Sequence, residues 1–402
     1  MTVAAGLLGA SEHLSPERID AAVRQAPWRG APSCMLSGKN GTIVALGSAA
    51  AAQEGPLSVV IHGRIDNACA LARDLGVASE TDLGAIAMAA YRRHGDEFGR
   101  RLLGDFALLL LDEQRGALLG SRDWVGARPL FWGTRASTTV LASESKQVMA
   151  MLDEPMRPDE KVVAAYLAAI TKLPLDATFV EGVKAVFPNG QVVAADGAPR
   201  SWASRVRFDP ISATKAEAAE AVRDRLFEAV RRRTSGAKRL GALCSGGMDS
   251  TSVVSVAAAL AADGRGPSVR RAFTSHYPSF PVVAEKKWAR GVVERWDIPW
   301  QTVEMQPSDL LRTDFEDAVA LHDGPVMPGA AILRKLLAAA GESQIDVLLT
   351  GEGGDFWQDP GRKELALALL RRDVRSVVHS SVWGMRHAPR WVFRESMGYW
   401  LR

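Results

Sequence analysis

The chain has 402 residues, of which 47% are hydrophobic and 24% charged, and its formal net charge at pH 7 is +3. This length predicts two domains, and so small a charge argues neither for nor against a nucleic-acid partner. The three scattered cysteines disfavour a disulfide framework or a zinc site, and we expect a cytoplasmic protein because neither a signal peptide nor an apolar run of ~18 residues is recognisable.

Short apolar stretches alternate with turns between residues 40 and 145. The pattern predicts strands over 42–46, 57–62, 105–111, 117–121, 129–132 and 138–142, and helices over 67–75 and 83–94. Further on, Asn189-Gly190 suits a type I′ turn, which predicts a hairpin between strands 184–187 and 191–195. So many short strands with few helices indicate an α+β fold.

A polar stretch over 200–212 separates this part from a second part with a different pattern of secondary structure. Thr214 and Glu217 form a capping box that opens a helix. Strands are then predicted over 239–244, 268–275, 300–304 and 346–350, and helices over 250–262, 284–296, 308–321 and 330–341. This alternation predicts a doubly wound parallel sheet, which binds ligands at the carboxyl ends of its strands.

A glycine-rich loop follows the first of these strands, with the sequence Ser245-Gly246-Gly247-Met248-Asp249-Ser250. Glycines let successive backbone N–H groups turn toward one anion, and the start of a helix adds unpaired donors. Asp249 offers a hard oxygen ligand for magnesium carried on phosphates. No Gly-Lys-Ser/Thr follows, so the loop differs from a Walker A loop and indicates a pyrophosphate site; the alternative is a plain turn with a serine cap.

A similar loop follows the last strand, with the sequence Thr350-Gly351-Glu352-Gly353-Gly354-Asp355. Two such loops at one sheet edge would place Asp249 and Asp355 on one magnesium–pyrophosphate unit. The alternative for Asp355 is the N-cap of a helix.

These residues resemble the asparagine synthetase superfamily. Its pyrophosphate loop is similar to 245–250, its second loop to 349–355, and its glutaminase domain to the stretches 63–67, 103–107 and 122–130. The resemblance implies a degenerate class 2 glutamine amidotransferase-like domain over 1–205, with an N-terminal-nucleophile (Ntn) hydrolase-like sandwich fold. For 206–402 it implies a PP-loop ATP-binding synthetase domain. It also implies that Leu243 and Phe273 flank the adenine, that Thr350, Gly351 and Glu352 line the nucleotide, and that Glu285 is an acidic residue near it.

The chain departs from this family at its glutaminase residues. Thr2 stands where the family has a nucleophilic cysteine, and a degenerate pocket is a simpler interpretation than a threonine nucleophile. His62 and Arg64 stand where the family has Asn and Glu, and neither Cys34 nor Cys69 can supply a free α-amine. We therefore expect no glutamine hydrolysis, so the amine comes from the substrate or from solution.

The end of the chain departs as well. Only Lys363 follows Asp355, where the family has a later lysine, and Phe356 replaces an acidic residue. A truncated homologue, a site completed by a partner, or an inactive protein are all compatible with this. Residues 356–402 are basic and rich in tryptophan. This composition is compatible with a helical layer packed on the sheet, with binding of an apolar precursor peptide or with binding of nucleic acid, and nucleic acid is the least favoured partner. His322 and Asp323 are compatible with a plain loop or with a pair that acts as a catalytic base.

The resemblance implies an ATP- and Mg²⁺-dependent amide ligase that forms AMP, with Asp249, Asp355 and Glu285 at its catalytic centre. A lasso-peptide cyclase-like macrolactam synthetase is the leading hypothesis. It would act on a precursor peptide beside a leader-peptide-binding or protease partner, and away from membranes. The alternatives are an enzyme that amidates a small amino acid, a catalytically incomplete nucleotide-binding homologue, and a tRNA-modifying nucleotidyl enzyme. The glutaminase-like half of the chain counts against the tRNA-modifying enzyme.

Overall fold

The computed structural model describes residues 2–8, 15–78, 82–168, 173–195, 198–204, 212–278, 286–306, 308, 321–325 and 330–354. These residues form two compact units, which we treat separately. The N-terminal unit contains the described residues of 1–216 and 307–333, and the C-terminal unit contains those of 217–306 and 334–354. Most of the predicted helix 308–321 lies outside the described residues.

The N-terminal unit is built on two six-stranded antiparallel sheets. The strands are β1 (Thr2–Leu8), β2 (Pro32–Ser37), β3 (Gly41–Leu46), β4 (Ala50–Glu54), β5 (Leu57–Ile65), β6 (Gly104–Asp112), β7 (Ala117–Arg122), β8 (Phe131–Arg135), β9 (Thr138–Ala142), β10 (Val183–Ala185), β11 (Gly190–Ala194) and β12 (Arg200–Ala203). The helices are α1 (Pro16–Gln25), α2 (Ala68–Leu75), α3 (Leu83–His94), α4 (Ser145–Leu152) and α5 (Glu160–Leu167). One sheet has the order β10-β8-β9-β1-β3-β2 and the other β12-β11-β7-β6-β5-β4.

Alternation of side chains along these strands creates a layered core. Val60 and Leu109 lie in a buried cluster between the sheets, whereas Ile61 and Leu108 face α2 and α3 on the other side of their sheet. The first sheet packs α1 and α4 on its outer face. Helices therefore cover both outer faces of a two-sheet sandwich, which confirms the predicted Ntn-hydrolase-like architecture.

The predicted hairpin around Asn189-Gly190 is wrong. Strand β10 pairs with β8 in the first sheet, whereas β11 pairs with β7 and β12 in the second. Asn189 has φ +52°, but Gly190 is not in the positive-φ region that a type I′ turn requires. The chain crosses between the sheets here, and the Asn189 N–H donates to the carbonyl oxygen of Asp123 at 2.8 Å.

The C-terminal unit contains a four-stranded, fully parallel sheet. Its strands are β13 (Leu240–Leu243), β14 (Val269–His276), β15 (Trp300–Glu304) and β16 (Val347–Leu349). The helices are α6 (Lys215–Thr234) and α9 (Ala330–Glu342), which both start just before the boundary of the unit, and α7 (Met248–Ala262) and α8 (Lys286–Arg295). The predicted parallel sheet is confirmed, and Val254, Leu260, Ala272 and Val293 form part of its buried core.

Strand order locates the edge where a ligand belongs. The order is β15-β14-β13-β16, so the chain moves outward from β13 to β15 and then returns to the other side of β13. Right-handed crossovers place the helices of the two directions on opposite faces of the sheet. The gap between the carboxyl ends of β13 and β16 is therefore a topological switch point, where open α/β sheets bind ligands.

No helix among the described residues is long and apolar enough to cross a membrane.

Candidate functional site

The loop after β13 is a tight turn that Gly246 makes possible. Gly246 has φ +101°, a conformation that L side chains rarely adopt. Behind it, Cys244 is fully buried, and its N–H donates to the Phe273 carbonyl at 2.8 Å. The Cys244 carbonyl in turn accepts from Thr274 Oγ1 at 2.5 Å. The turn thus starts from a rigid base, and burial raises the pKa of the Cys244 thiol, which disfavours its reactive thiolate form.

Two serines tie the ends of this loop together. The Ser245 N–H donates to Ser250 Oγ at 3.2 Å, and the two hydroxyl oxygens lie 3.0 Å apart. Ser245 Oγ also accepts from the Gly247 N–H at 3.2 Å. Ser245 is exposed and Ser250 is buried, so the pair joins the loop surface to the helix behind it. These contacts fix the loop in a curled shape before any ligand arrives.

Helix α7 begins with Gly247 as its N-cap residue, and no side chain caps it. The alternative of a serine cap is therefore wrong, because Ser245 bonds within the loop instead. Helical geometry leaves the first N–H groups of the 15-residue α7 without partners inside the helix. Together with the helix dipole, these donors suit an anion beside the glycines.

The loop after β16 lies directly against this first loop. A Cβ added at Gly351 would lie 2.4 Å from the Ser250 nitrogen and 2.7 Å from its Cα. A Cβ added at Gly354 would lie 2.3 Å from Cγ of Asp249. A side chain at Gly351 would force the two backbones apart, whereas a side chain at Gly354 would displace the Asp249 carboxylate, so both glycines permit the contact. The two segments are about a hundred residues apart in the sequence but form one surface.

Asp249 is the carboxylate at the centre of this surface. It lies in the first turn of α7 and is partly exposed. Within the described part of the chain, no group of three or more His, Cys, Asp or Glu side chains could hold a metal ion. The residues nonetheless fit a magnesium ion carried on phosphates, because the phosphates and water would supply most of its oxygen ligands.

The remaining predicted residues have different positions. Leu243 is the last residue of β13 and is partly buried, whereas the Phe273 side chain is only 1% exposed, within the core of β14. Thr350 and Glu352 are exposed, and the Glu352 N–H donates to Thr350 Oγ1 at 3.4 Å. Glu285 and Asp355 lie outside the described residues. Whether these residues contact a nucleotide stays a prediction.

Two supporting residues were absent from the sequence-based prediction. Thr251 Oγ1 donates to the Gly247 carbonyl at 2.8 Å, which holds the loop onto the first turn of α7. Thr274 Oγ1 receives a hydrogen bond from Trp300 Nε1 at 2.8 Å while it supports Cys244. The Thr251 contact is a local bond four residues back along the chain, whereas the Thr274 contacts have no local sequence signal because they depend on the fold.

The N-terminal unit contains His62 and Arg64, which the resemblance places at the family's glutamine-binding positions. His62 is 3% exposed, and its Nδ1 has no hydrogen-bond partner. Burial, followed by the positive charges of Arg128 and Arg29, lowers the pKa of His62 to about 3, so the imidazole is neutral at physiological pH. Arg64 Nε donates to Asp66 Oδ1 at 2.8 Å. These side chains thus present a neutral ring and a paired guanidinium.

Comparison with known proteins finds one family model for each half of the sequence. The asparagine synthase family model matches residues 221–389, and the glutamine amidotransferase domain model matches residues 45–203. Asparagine synthetase [glutamine-hydrolyzing] 1 of Bacillus subtilis is 25% identical over 309 residues, covering 74% of this chain and 46% of the relative. Amidase chry2 of Gibberella zeae is 26% identical over 328 residues, covering 75% of this chain and 47% of the relative.

The chain thus spans about half the length of the curated relatives it matches. Among solved structures, glutamine phosphoribosylpyrophosphate amidotransferase of B. subtilis aligns with 90% of this chain and 93% of its own, at 12% identity and a TM-score of 0.37. That likeness is too weak to support an argument.

The Ntn-type sandwich and the parallel sheet with two facing glycine loops are the two parts of the chain that the two family models match. The chain belongs to the asparagine synthetase superfamily. That superfamily comprises ATP-utilising, amide-forming ligases.

Proposed function

We propose that this protein is a ligase that activates a carboxylate with ATP, releases pyrophosphate and transfers the acyl group to an amine. The observation that carries the proposal is the contact between the loops 245–250 and 351–354 at the topological switch point. Two curled backbones, two serine hydroxyls and a helix N-terminus lie together there. This is the chemistry that a pyrophosphate group requires.

Each group has a role in this proposal. The backbone N–H groups of Gly246 and Gly247 and the hydroxyls of Ser245 and Ser250 bind the pyrophosphate oxygens. Asp249, with Asp355 from outside the described residues, holds magnesium. When bound, magnesium supplies positive charge that stabilises the departing pyrophosphate. The carboxylate oxygen attacks the α-phosphorus, and the amine then displaces AMP from the acyl carbon, with catalysis by positioning and charge stabilisation.

The source of the amine separates the finer hypotheses. A neutral, buried His62 and an Arg64 that pairs with Asp66 stand where the resemblance implies glutamine-binding Asn and Glu. They favour an amine from the substrate itself, and hence a macrolactam closed within a peptide, as in a lasso-peptide cyclase. A leader-peptide-binding or protease protein would then be its partner.

Product analysis tests this assignment. The protein is incubated with ATP, Mg²⁺ and a precursor peptide from the same gene neighbourhood, together with its leader-binding and protease partners. We expect AMP, pyrophosphate and a peptide lighter by one water, all lost in Asp249→Asn. Formation of ADP and phosphate, or a peptide unchanged while ATP is consumed, would contradict the macrolactam proposal.

Two further candidates remain as outcomes. Similarity to an asparagine synthetase of Bacillus subtilis favours amidation of a small amino acid. Aspartate-dependent release of AMP with added ammonium would establish that reaction instead. ATP binding without turnover for any carboxylate would identify a nucleotide-binding homologue that needs a partner to complete its site.

A further inference from the structure

A cavity opens in the C-terminal unit at the amino ends of the parallel strands, the sheet edge opposite the two glycine loops. Its volume is about 390 Å³, and it is lined by Arg270, Arg271, Gln301, Glu342, Ser343 and Gln344. The two arginines lie near the start of β14 and Gln301 near the start of β15, whereas the other three end α9 and lead toward β16. Ligand pockets range from about 300 to 1,000 Å³, so this volume suits a small molecule. Because every lining side chain is polar, the cavity suits a polar ligand.

The absence of a side chain at Gly241 brings these elements together. In the sheet, Gly241 of β13 is the register partner of Arg271 of β14. A Cβ added at Gly241 would lie only 2.9 Å from the Ile345 side chain. The segment that follows α9 can therefore lie close against β13, and its residues 342–344 reach the same cavity as the arginines of β14.

Arginines hold both glutamine side chains of the cavity by their acceptor ends. Arg271 Nη1 donates to Gln301 Oε1 at 2.9 Å, and Arg239 Nη1 donates to Gln344 Oε1. Each glutamine thus keeps its amide NH₂ group as the end that can still bond a ligand. Within the described part of the chain, neither Arg270 nor Arg271 pairs with a carboxylate. The cavity therefore offers guanidinium and amide donors, which suit an anion.

The side of the cavity formed by α9 has the opposite charge. Glu342 is exposed and is the last residue of this 13-residue helix. The C-terminal end of a helix carries a partial negative charge and carbonyl groups without helical partners. Two guanidinium groups and one carboxylate line the cavity, so their net charge is +1. A ligand with two anionic groups and one ammonium group would match this pattern.

Gln344 has a backbone conformation that glutamine rarely adopts. Its φ is +55°, in the left-handed region. Just after a helix this conformation usually belongs to glycine or asparagine, because it is unfavourable for other residues. The chain thus keeps a long polar side chain in the cavity at a cost in stability, which is typical of functional sites.

We propose that this cavity binds a small amino compound with two anionic groups, the charge pattern of an acidic amino acid. Arg270 and Arg271 bind its carboxylates, and the amide groups of the two glutamines donate to the same oxygens. Glu342 and the C-terminal end of α9 bind its ammonium group. The Glu342 carboxylate would repel a continuous polyanion, so nucleic acid is not the ligand. This site is separate from the proposed nucleotide site and does not depend on the ligase reaction.

Calorimetric titration of the full chain with L-glutamate, in the absence of ATP and Mg²⁺, tests the site. Glutarate has both carboxylates but no ammonium group, and free L-glutamine has one carboxylate fewer, so each compound probes one side of the cavity. We expect both to bind about 10- to 100-fold more weakly than L-glutamate, since each loses hydrogen bonds between charged groups.

Matched variants locate the binding. Arg270→Gln should weaken L-glutamate binding by about 10-fold. Arg265→Gln is the control, because Arg265 is exposed between α7 and β14 at the same sheet edge and does not line the cavity. Glu342→Gln should reduce the preference for L-glutamate over glutarate. Gln344→Gly should weaken binding while it raises the midpoint of urea unfolding, a combination that a purely structural role would not produce.

Equal affinity for L-glutamate, glutarate and inorganic phosphate would make the cavity an unselective anion site and overturn the proposal. Equal losses in Arg265→Gln and Arg270→Gln, or no heat of binding at millimolar L-glutamate, would overturn it as well. Loss of binding in Asp249→Asn would locate the ligand at the glycine loops instead. Because the titration contains no ATP, its failure and the failure of the proposed function are distinguishable.

Discussion

Gly351 is the position where a single methyl group most directly tests the contact between the two loops. In Gly351→Ala, the new Cβ would lie 2.4 Å from the Ser250 nitrogen and 2.9 Å from the Asp249 carbonyl carbon. All close atoms are backbone, so no side chain can move aside. Ordinary contact begins at 3.4 Å, and the loops must therefore separate by about 1 Å.

That displacement sets the size of the expected effects. Overpacking of this kind costs ~1–3 kcal/mol of unfolding free energy. A shift of about 1 Å in a positioned group reduces turnover by on the order of 100-fold. We therefore expect a folded protein with weaker ATP binding and about 100-fold slower pyrophosphate exchange, measured by equilibrium binding and isotope exchange.

Gly341→Ala provides the matched control. Gly341 lies in α9, and nothing lies within 4 Å of the place where its Cβ would be. This change should stabilise the protein by about 0.5–1 kcal/mol and leave ATP binding unchanged. If Gly351→Ala folded and bound ATP as tightly as Gly341→Ala, the two loops would not be in contact and the reasoning would be refuted.

Three other changes should have measurable effects. The pKa of His62 falls on folding from 6.5 to about 3, so between these pH values the unfolded chain binds one proton more than the folded chain. The free energy of unfolding therefore decreases as pH falls through that range, by up to about 1.4 kcal/mol per pH unit. His62→Gln should remove this acid dependence in urea unfolding, and parallel curves for both proteins would contradict it. Tyr91 donates to Asp112 at 2.8 Å in the core, and burial raises its pKa to about 12, so stability should decrease as pH rises from 10 toward 12. Tyr91→Phe should abolish that alkaline loss while costing ~1–3 kcal/mol at neutral pH; an unchanged alkaline limb would count against the assignment. Gly354→Ala should displace the Asp249 carboxylate and weaken magnesium-dependent ATP binding more than magnesium-free binding, and equal effects would contradict the placement of the metal.

Local pattern was enough to predict much of the fold. Strand 138–142, strand 300–304 and helix 83–94 have the predicted bounds, because each is an apolar run or period with clear turn residues at its ends. Strand β4 was not predicted because its sequence, Ala-Ala-Ala-Gln-Glu, has helix-forming composition. Helix α4 was not predicted because the carboxylate that accepts from its first N–H, that of Asp323, lies far along the chain. The false hairpin arose because a local Asn-Gly signal carries no information about which sheet each strand joins.

The sequence predicted the two loops and their place at one sheet edge, but not the strand order that brings them into contact. Glycines after two apolar runs identified both loops. Their contact depends on β16 lying beside β13, and sheet order is not encoded in either loop. For the same reason the supporting role of Thr274 could not be predicted, since it depends on how β14 aligns with β13.

The central claim is that the two loops form one site at which ATP is cleaved to AMP and pyrophosphate. Incorporation of labelled pyrophosphate into ATP, with the carboxylate substrate present and the amine withheld, measures this most directly. We predict exchange in the wild-type protein that falls by on the order of 100-fold in Asp249→Asn. Exchange that is undiminished in Asp249→Asn, or ATP that is converted to ADP and phosphate, would contradict the account.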